Sequence, residues 1–318
     1  MDKKNIIIFG LGQFGYAVMK HLDRNLDYSR FNLIGFEKND EIIKSLKETK
    51  RHPFWFVDSG ISENVIIASS SEKALEKVNI LILAVPSNFL LSTLEDFKKN
   101  IKNEIIILNL AKGLSPNGEP FSKEFKKADF SFPYSFGVLS GGNIAKDLFY
   151  GEKLGSTIAF ADKESSKKIK EIFESQSLYI EESDDIIGVE LAGAFKNICT
   201  LFLGYLEGKG TSVGTITYYL TQISEEIKNF AVKNFGAKPA TFSLESQCWG
   251  NDLIMSYIGE TRNKEFGKMI GQGMGVEETL EIMKKENKTV EGMNTVNKIR
   301  SFDLKDFPIL GEIVGIFG

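Results

Sequence analysis

Over roughly the first 180 residues, short apolar runs alternate with longer stretches that are apolar on one face only. Residues 5–10, 31–36, 66–67, 79–85, 104–110, 135–140, 157–160 and 178–180 are rich in β-branched or aromatic side chains and bounded by polar or glycine positions, the pattern of buried strands. Between them, residues 14–24, 40–48, 89–100, 144–149 and 163–176 carry helical spacing. Strands that alternate with helices predict an α/β fold built on a doubly wound, mostly parallel sheet.

The pattern changes near residue 184. Residues 186–206, 213–235, 264–270 and 276–285 are helical in spacing, and strand alternation does not return. Two domains are therefore expected, 1–183 with the sheet and 184–318 all-α. A chain of 318 residues also exceeds what one small core organises. No Pro- or Ser-rich linker separates the halves, so close packing with a cleft between them is expected. The run at 186–206 approaches membrane-spanning length. Glu190, Lys196 and Asn197 would each be costly in lipid, so a core helix of a protein that is not membrane-embedded is the expectation.

Composition narrows the classes. A net charge of −4 and a pI near 5.5 argue against a nucleic-acid partner. Two cysteines are too few for a disulfide framework and suit a cytoplasmic protein. His21 and His52 are the only histidines, which excludes a histidine-rich metal site and leaves little for a histidine proton relay. The N-terminal apolar run is about five residues, shorter than a signal peptide requires.

Five predicted strand ends carry candidate chemistry. Gly10-Leu11-Gly12-Gln13-Phe14-Gly15 fits Gly-x-Gly-x-x-Gly between a strand and a helix. There Gly10 allows the tight turn, Gly12 lets backbone approach a pyrophosphate, and Gly15 lets helix and strand close together. This makes 1–183 a Rossmann-type dinucleotide-binding domain. Glu37, at the end of the second strand, would accept a ribose hydroxyl and favour NAD, while Lys38 beside it would favour NADP. Val85-Pro86-Ser87 and Ala111-Lys112-Gly113 end the next two strong strands, and Leu139-Ser140-Gly141-Gly142-Asn143 ends a later one. The proline reads equally as a plain strand terminator. Lys112 would point a cation at the cofactor crevice.

Lys196 lies in an otherwise almost uncharged helix, Gly188 to Gly204. Burying an ammonium is costly unless it is paired, and desolvation brings a lysine toward proton exchange near neutrality. The alternative is a lysine that snorkels to the helix edge. Thr261, Arg262 and Asn263 either cap an ordinary helix or offer donors to a phosphate. Val290-Glu291-Gly292 has no physical signature of its own.

Taken together, these motifs resemble the NAD(P)-dependent glycerol-3-phosphate dehydrogenase family nearly end to end: the glycine motif, Arg51-His52-Pro53, Val85-Pro86-Ser87, Lys112-Gly113, Leu139-Ser140-Gly141, Gly193-Ala194-Phe195-Lys196-Asn197, Asp252-Leu253, Arg262-Asn263 and Val290-Glu291-Gly292. The resemblance implies hydride transfer between NAD(P)H and dihydroxyacetone phosphate, giving sn-glycerol 3-phosphate for glycerophospholipid synthesis. It implies Lys196 as proton donor and acceptor, Lys112 beside substrate and nicotinamide, and Asp252 positioning the substrate hydroxyl and the lysine. Thr261, Arg262 and Asn263 would hold the phosphate, and Gly141 and Asn143 match substrate-binding positions. Gln13, Phe14, Ala145, Arg262 and Glu291 match positions that touch the dinucleotide. A homodimer is compatible with the resemblance.

The chain departs from the family pattern on the substrate side. Ser-Gly-Pro becomes Ser140-Gly141-Gly142, a Ser or Thr becomes Asn143, and Asn-Thr-Lys-Ala becomes Ser212-Val213-Gly214-Thr215. An arginine expected later in that helix is missing near Tyr218 and Tyr219, and a Gly-rich approach to the aspartate becomes 246–251. Two other readings follow: a dehydrogenase of the same architecture for another small phosphorylated or carboxylated carbonyl compound, or a non-catalytic dinucleotide sensor.

Overall fold

The computed structural model describes residues 2–128, 130–286 and 288–318. Eight strands form one sheet: β1 (Lys4–Phe9), β2 (Phe31–Phe36), β3 (Ile66–Ile67), β4 (Val78–Leu83), β5 (Ile105–Asn109), β6 (Tyr134–Gly142), β7 (Leu154–Phe160) and β8 (Leu178–Ser183). Their spatial order is β3-β2-β1-β4-β5-β6-β7-β8. Pairing is parallel from β3 through β6 and again between β7 and β8. The sheet is built outward in both directions from β1, which puts the topological switch point between β1 and β4, where α/β sheets bind ligands.

The strands form because their side chains are apolar on both faces. Ile6, Ile7 and Ile8 of β1 and Ile80, Leu81 and Ile82 of β4 are fully buried, as expected of a sheet covered by crossover helices. Helix Gln13–Asn25 buries Tyr16, Val18, Met19 and Leu22, the face its periodicity marks. Helix Asp40–Thr49 starts on Asn39, whose side chain accepts from the Glu41 and Ile42 N–H groups.

Two compact units result. The first is Met1–Ala111, Ser122–Leu139 and Asn143–Ile186; the second is Lys112–Phe121, Ser140–Gly142 and Ile187–Gly318. The helical unit thus draws two short segments from the earlier part of the chain, among them Lys112 and Gly141. Its centre is helix Ile186–Gly208, buried on all faces from Gly188 to Gly204. Among the described residues it is long and apolar enough to cross a membrane, yet 89% of its apolar window is buried inside the protein, as in a core helix. Helix Arg262–Gly271 lies directly against it. A Cβ at Gly204 or Gly267 would overlap a backbone carbonyl of the other helix, Lys264 and Leu201 respectively, so the two backbones meet without side chains between them. Helix Val213–Phe235 has the bounds its pattern predicts. Helix Asp252–Ile258 and helix Glu291–Ile299 are additions that the periodicity did not disclose, being about two turns each.

Candidate active site

The carboxyl ends of β1, β4 and β5 lie side by side in the first unit. Gly10 has a left-handed φ of 93°, and a Cβ there would meet the Ala84 carbonyl oxygen at 2.8 Å. A Cβ at Gly15 would overlap the Gly10 carbonyl oxygen, so the helix is seated on the strand end. Gly12 precedes helix Gln13–Asn25 with no capping side chain, no acidic residue follows in the first turn, and the space where its Cβ would stand is open. The opening turn, with Gln13 and Phe14, therefore presents backbone N–H groups that no side chain caps. That arrangement fits the pyrophosphate of a dinucleotide.

Glu37 is held close to this loop. Its Oε2 accepts from the Leu11 N–H at 2.7 Å, and its Oε1 accepts from the Lys38 and Asn39 N–H groups at 2.7 and 3.2 Å. The carboxylate expected to read a ribose thus also braces the glycine loop. His52 grips the same residue from the other side: Nε2–H donates to the Leu11 carbonyl at 2.9 Å, and Nδ1 accepts from Phe54 N–H at 3.1 Å and Trp55 N–H at 3.2 Å. Burial lowers the His52 pKa, against the Leu11 carbonyl and Glu37, and so preserves the neutral tautomer that these bonds require. Lys38 points its ammonium at Asp96, 3.2 Å away on the surface. Ala145 opens helix Ala145–Tyr150, and the Asn143 amide donates to Ser156 Oγ at 3.1 Å.

In the helical unit, four of the predicted residues meet. Lys112 Nζ donates to Asp252 Oδ2 at 2.7 Å and to the Gly141 carbonyl at 2.8 Å. Lys196 Nζ donates to Asp252 Oδ1 at 2.9 Å and to Ser256 Oγ at 2.7 Å. Asp252 is fully buried and Lys196 is 8% exposed, so Lys196 does not snorkel to solvent. Burial by itself would raise the Asp252 pKa; the two ammonium groups outweigh it and hold the carboxyl below its usual range. Lys112 is lowered by burial despite Asp252. Burial raises Glu291 against the pull of Lys196, Lys112 and Arg262. Two ammonium groups thus share the Asp252 carboxylate, with Glu291 coupled to both, in surroundings that screen charge weakly.

Ser256 was not anticipated. It lies one turn beyond Asp252 on helix Asp252–Ile258, and only that helix brings it to Lys196. Thr261 is the N-cap of helix Arg262–Gly271, its Oγ1 accepting from Lys264 N–H at 3.3 Å. Arg262 is exposed. Asn263 is buried, donates to Asn197 Oδ1 at 3.0 Å and accepts from Gly292 N–H at 3.0 Å. Gly292 thereby acquires the physical basis its sequence lacked: a Cβ there would run into Leu201 and Asn263. A cavity of about 670 Å³ opens at the amino-terminal edge of the sheet, beside Lys4, Asn79 and Lys168, and contains none of the predicted site residues.

A Rossmann-type sheet with an uncapped glycine turn, joined in one chain to a helical unit that buries a lysine–aspartate–lysine cluster, defines a dinucleotide-dependent dehydrogenase. Residues 5–166 match the N-terminal model of NAD-dependent glycerol-3-phosphate dehydrogenase, and residues 185–317 match the C-terminal model. The chain belongs to the NAD-dependent glycerol-3-phosphate dehydrogenase family. It is 29% identical to glycerol-3-phosphate dehydrogenase [NAD(P)+] of Shouchella clausii, over 98% of this chain and 91% of that one. It is 27% identical to the enzyme of that name from Alcanivorax borkumensis, over 94% of this chain and 84% of the other. The fold is that of Plasmodium falciparum glycerol-3-phosphate dehydrogenase, with a TM-score of 0.90 at 20% identity, covering 99% of this chain and 91% of that one. The cofactor is NAD or NADP.

Proposed function

We propose that this chain interconverts dihydroxyacetone phosphate and sn-glycerol 3-phosphate, with Lys196 as the general acid/base. The observation that carries the reading is the buried cluster in which Asp252 bonds Lys196 at 2.9 Å and Lys112 at 2.7 Å. NAD(P)H, when bound, supplies the hydride. In the direction of reduction, the Lys196 ammonium gives a proton to the carbonyl oxygen as it becomes a hydroxyl; in the reverse direction the amine takes that proton back. Asp252 and Ser256 hold Nζ while the proton moves. Lys112, anchored on Asp252 and the Gly141 carbonyl, offers its positive charge to the oxygen as it acquires alkoxide character.

Arg262 is assigned to the substrate phosphate, being exposed and therefore able to present its fork to an anion. Thr261 and Asn263, engaged as cap and tie, are assigned to shaping that turn and to its backbone donors. Gly141 and Asn143 are assigned to the substrate side. Gly10, Gly12, Gln13, Phe14, Gly15, Glu37, Lys38, Ala145 and Glu291 are assigned to the dinucleotide. On this reading residues 1–183 chiefly serve the cofactor and 184–318 the substrate, with Lys112, Gly141 and Asn143 lent to the substrate side and Glu291 to the cofactor, in a cytoplasmic, homodimeric enzyme that feeds glycerophospholipid synthesis.

The test is oxidation of NADH and, separately, NADPH by dihydroxyacetone phosphate. Steady turnover is expected with at least one of them. Tight dinucleotide binding without turnover of this ketone would refute the assignment of substrate.

A further inference from the structure

Behind the charged cluster lies a second contact that the reaction has not used. Asn251 ends a π-helical turn, Gln247–Asn251, that runs straight into helix Asp252–Ile258. Single π turns recur at functional sites because they re-aim the side chains beside them. The Asn251 amide donates from Nδ2 to Gln247 Oε1 at 2.8 Å. The same amide stands where a side chain at residue 142 would have to go: a Cβ on Gly142 would lie 2.8 Å from Nδ2, 2.9 Å from Cγ and 3.0 Å from Oδ1. A side chain at 142 would therefore oblige the Asn251 amide to move and to disturb its bond to Gln247.

Gly142 follows Gly141, whose carbonyl accepts the Lys112 ammonium at 2.8 Å. Gly141 has a φ of 147°, so two successive glycines leave this strand end with wide conformational freedom. Lys112 holds the carbonyl between them by a hydrogen bond, and the Asn251 amide stands against the Gly142 Cα on the side where a Cβ would project. Asn251 is bonded in sequence to Asp252, and Asp252 holds Lys112 at 2.7 Å. The contacts close a ring: Asp252 to Lys112, Lys112 to Gly141, Gly142 to Asn251, and Asn251 back to Asp252 along the chain.

We propose that Asn251 is a positioning residue for this reaction. It fixes the Gly141–Gly142 peptide, and through the Gly141 carbonyl it sets where the Lys112 ammonium points; Gly142 is the matched half of the pair. The role of Lys112 rests on the functional reading above. The departures at Gly142 and at 246–251 are on this account one structural change. With the amide gone, the glycine pair is free to turn its carbonyl away, and Lys112 keeps Asp252 as its only fixed acceptor of the two. Electrostatic stabilisation of a developing alkoxide depends on where the donor sits, so the loss falls on the chemical step.

A double-mutant cycle with Asn251→Ala, Gly142→Ala and the pair tests this, with thermal midpoints read without substrate and kcat and KM read separately. Gly142→Ala alone is expected to lower the midpoint, and adding Asn251→Ala to restore roughly half of that loss or more, because contacting sites do not add. Asn251→Ala alone is expected to lower kcat by about 5–20-fold with the KM for NADH unchanged. Recovery of folding by the pair where Gly142→Ala fails to fold would be the coupling in its strongest form. Additive midpoints, or a pair that folds no better than Gly142→Ala, would overturn the match between the residues. Wild-type kcat in Asn251→Ala would overturn the positioning role. A parent enzyme that turned over no dihydroxyacetone phosphate would instead sink the assigned reaction, and the midpoints would still report the coupling.

Discussion

Replacing Asp252 by Asn should separate what the buried cluster does for stability from what it does for chemistry. The carboxylate is fully buried and accepts from two ammonium groups at 2.7 and 2.9 Å. An asparagine offers one oxygen to two lysines and turns its NH2 toward one of them. One cation is left facing a donor in a buried place, a loss of about 3–5 kcal/mol when one partner of a buried pair is removed. For a domain of this size each kcal/mol moves the midpoint by roughly 2–4 °C, so a fall on the order of 10 °C is expected in circular dichroism melts.

Turnover should fall by about a thousandfold or more, because Lys196 and Lys112 both lose the group that orients them. The triple variant Lys112→Met, Lys196→Met, Asp252→Leu discriminates further. Replacing a whole buried ionic cluster by apolar side chains of similar size is often neutral or stabilising, so this variant should recover most of the midpoint while remaining inactive. A D252N protein that melts within about 2 °C of the parent and keeps its kcat would refute the reasoning. The two ion pairs would then be neither structural nor catalytic.

Lys196→Ala should keep the fold and dinucleotide binding while cutting kcat by roughly three orders of magnitude or more; near-parental turnover would remove it as acid/base. Gly15→Ala should abolish or severely weaken NADH binding in a fluorescence titration, since the added methyl overlaps the Gly10 carbonyl. His52→Ala should raise the KM for NADH by about 3–10-fold at little cost in kcat, because the Leu11 carbonyl loses its donor and the Phe54–Trp55 turn its acceptor. On the acid side, the depressed Asp252 pKa contributes stability that is present above the unfolded carboxyl value and is lost as pH falls through the folded value. His52, also depressed, adds to the fall: below its unfolded pKa the unfolded chain takes up the proton first. Melts of the parent should therefore weaken steadily as pH drops below about 6.5, and His52→Gln should flatten the upper part of that slope.

The sheet was legible because its strands are short apolar runs that stand alone in the pattern, and β2 and β3 have the bounds their composition predicts. Lys196 was legible for a different reason: a charge in the middle of an apolar helix is an anomaly visible without a structure. Long-range partners were not. His52 lies 41 residues from Leu11 and Asp252 lies 56 from Lys196, and nothing in local periodicity couples such positions. Helix Asp252–Ile258 is too short for amphipathic spacing, so Ser256 stayed hidden although its neighbour Asp252 was identified through resemblance. Glu37 shows the converse case. Its position was readable, but its hydrogen bond to Leu11 gives it a structural duty that no sequence pattern distinguishes from ribose recognition.

The glycines also divide by what the sequence can express. Gly10 and Gly15 announce themselves because both constraints act within one turn. Gly142, Gly204 and Gly292 are glycine for the sake of atoms far away in sequence, the Asn251 amide, the Lys264 carbonyl and the Leu201 side chain. Each marks a place where two segments must touch for the cluster to assemble. Gly204 lets helix Arg262–Gly271 close on the helix that carries Lys196. Gly292 admits Asn263, which bonds Asn197 beside that lysine. Gly142 admits Asn251, which precedes Asp252. Substitution at any of the three acts on the charged centre through its supports. Small added side chains at these positions should therefore lower kcat before they alter dinucleotide binding, whereas the same change at Gly15 should do the reverse.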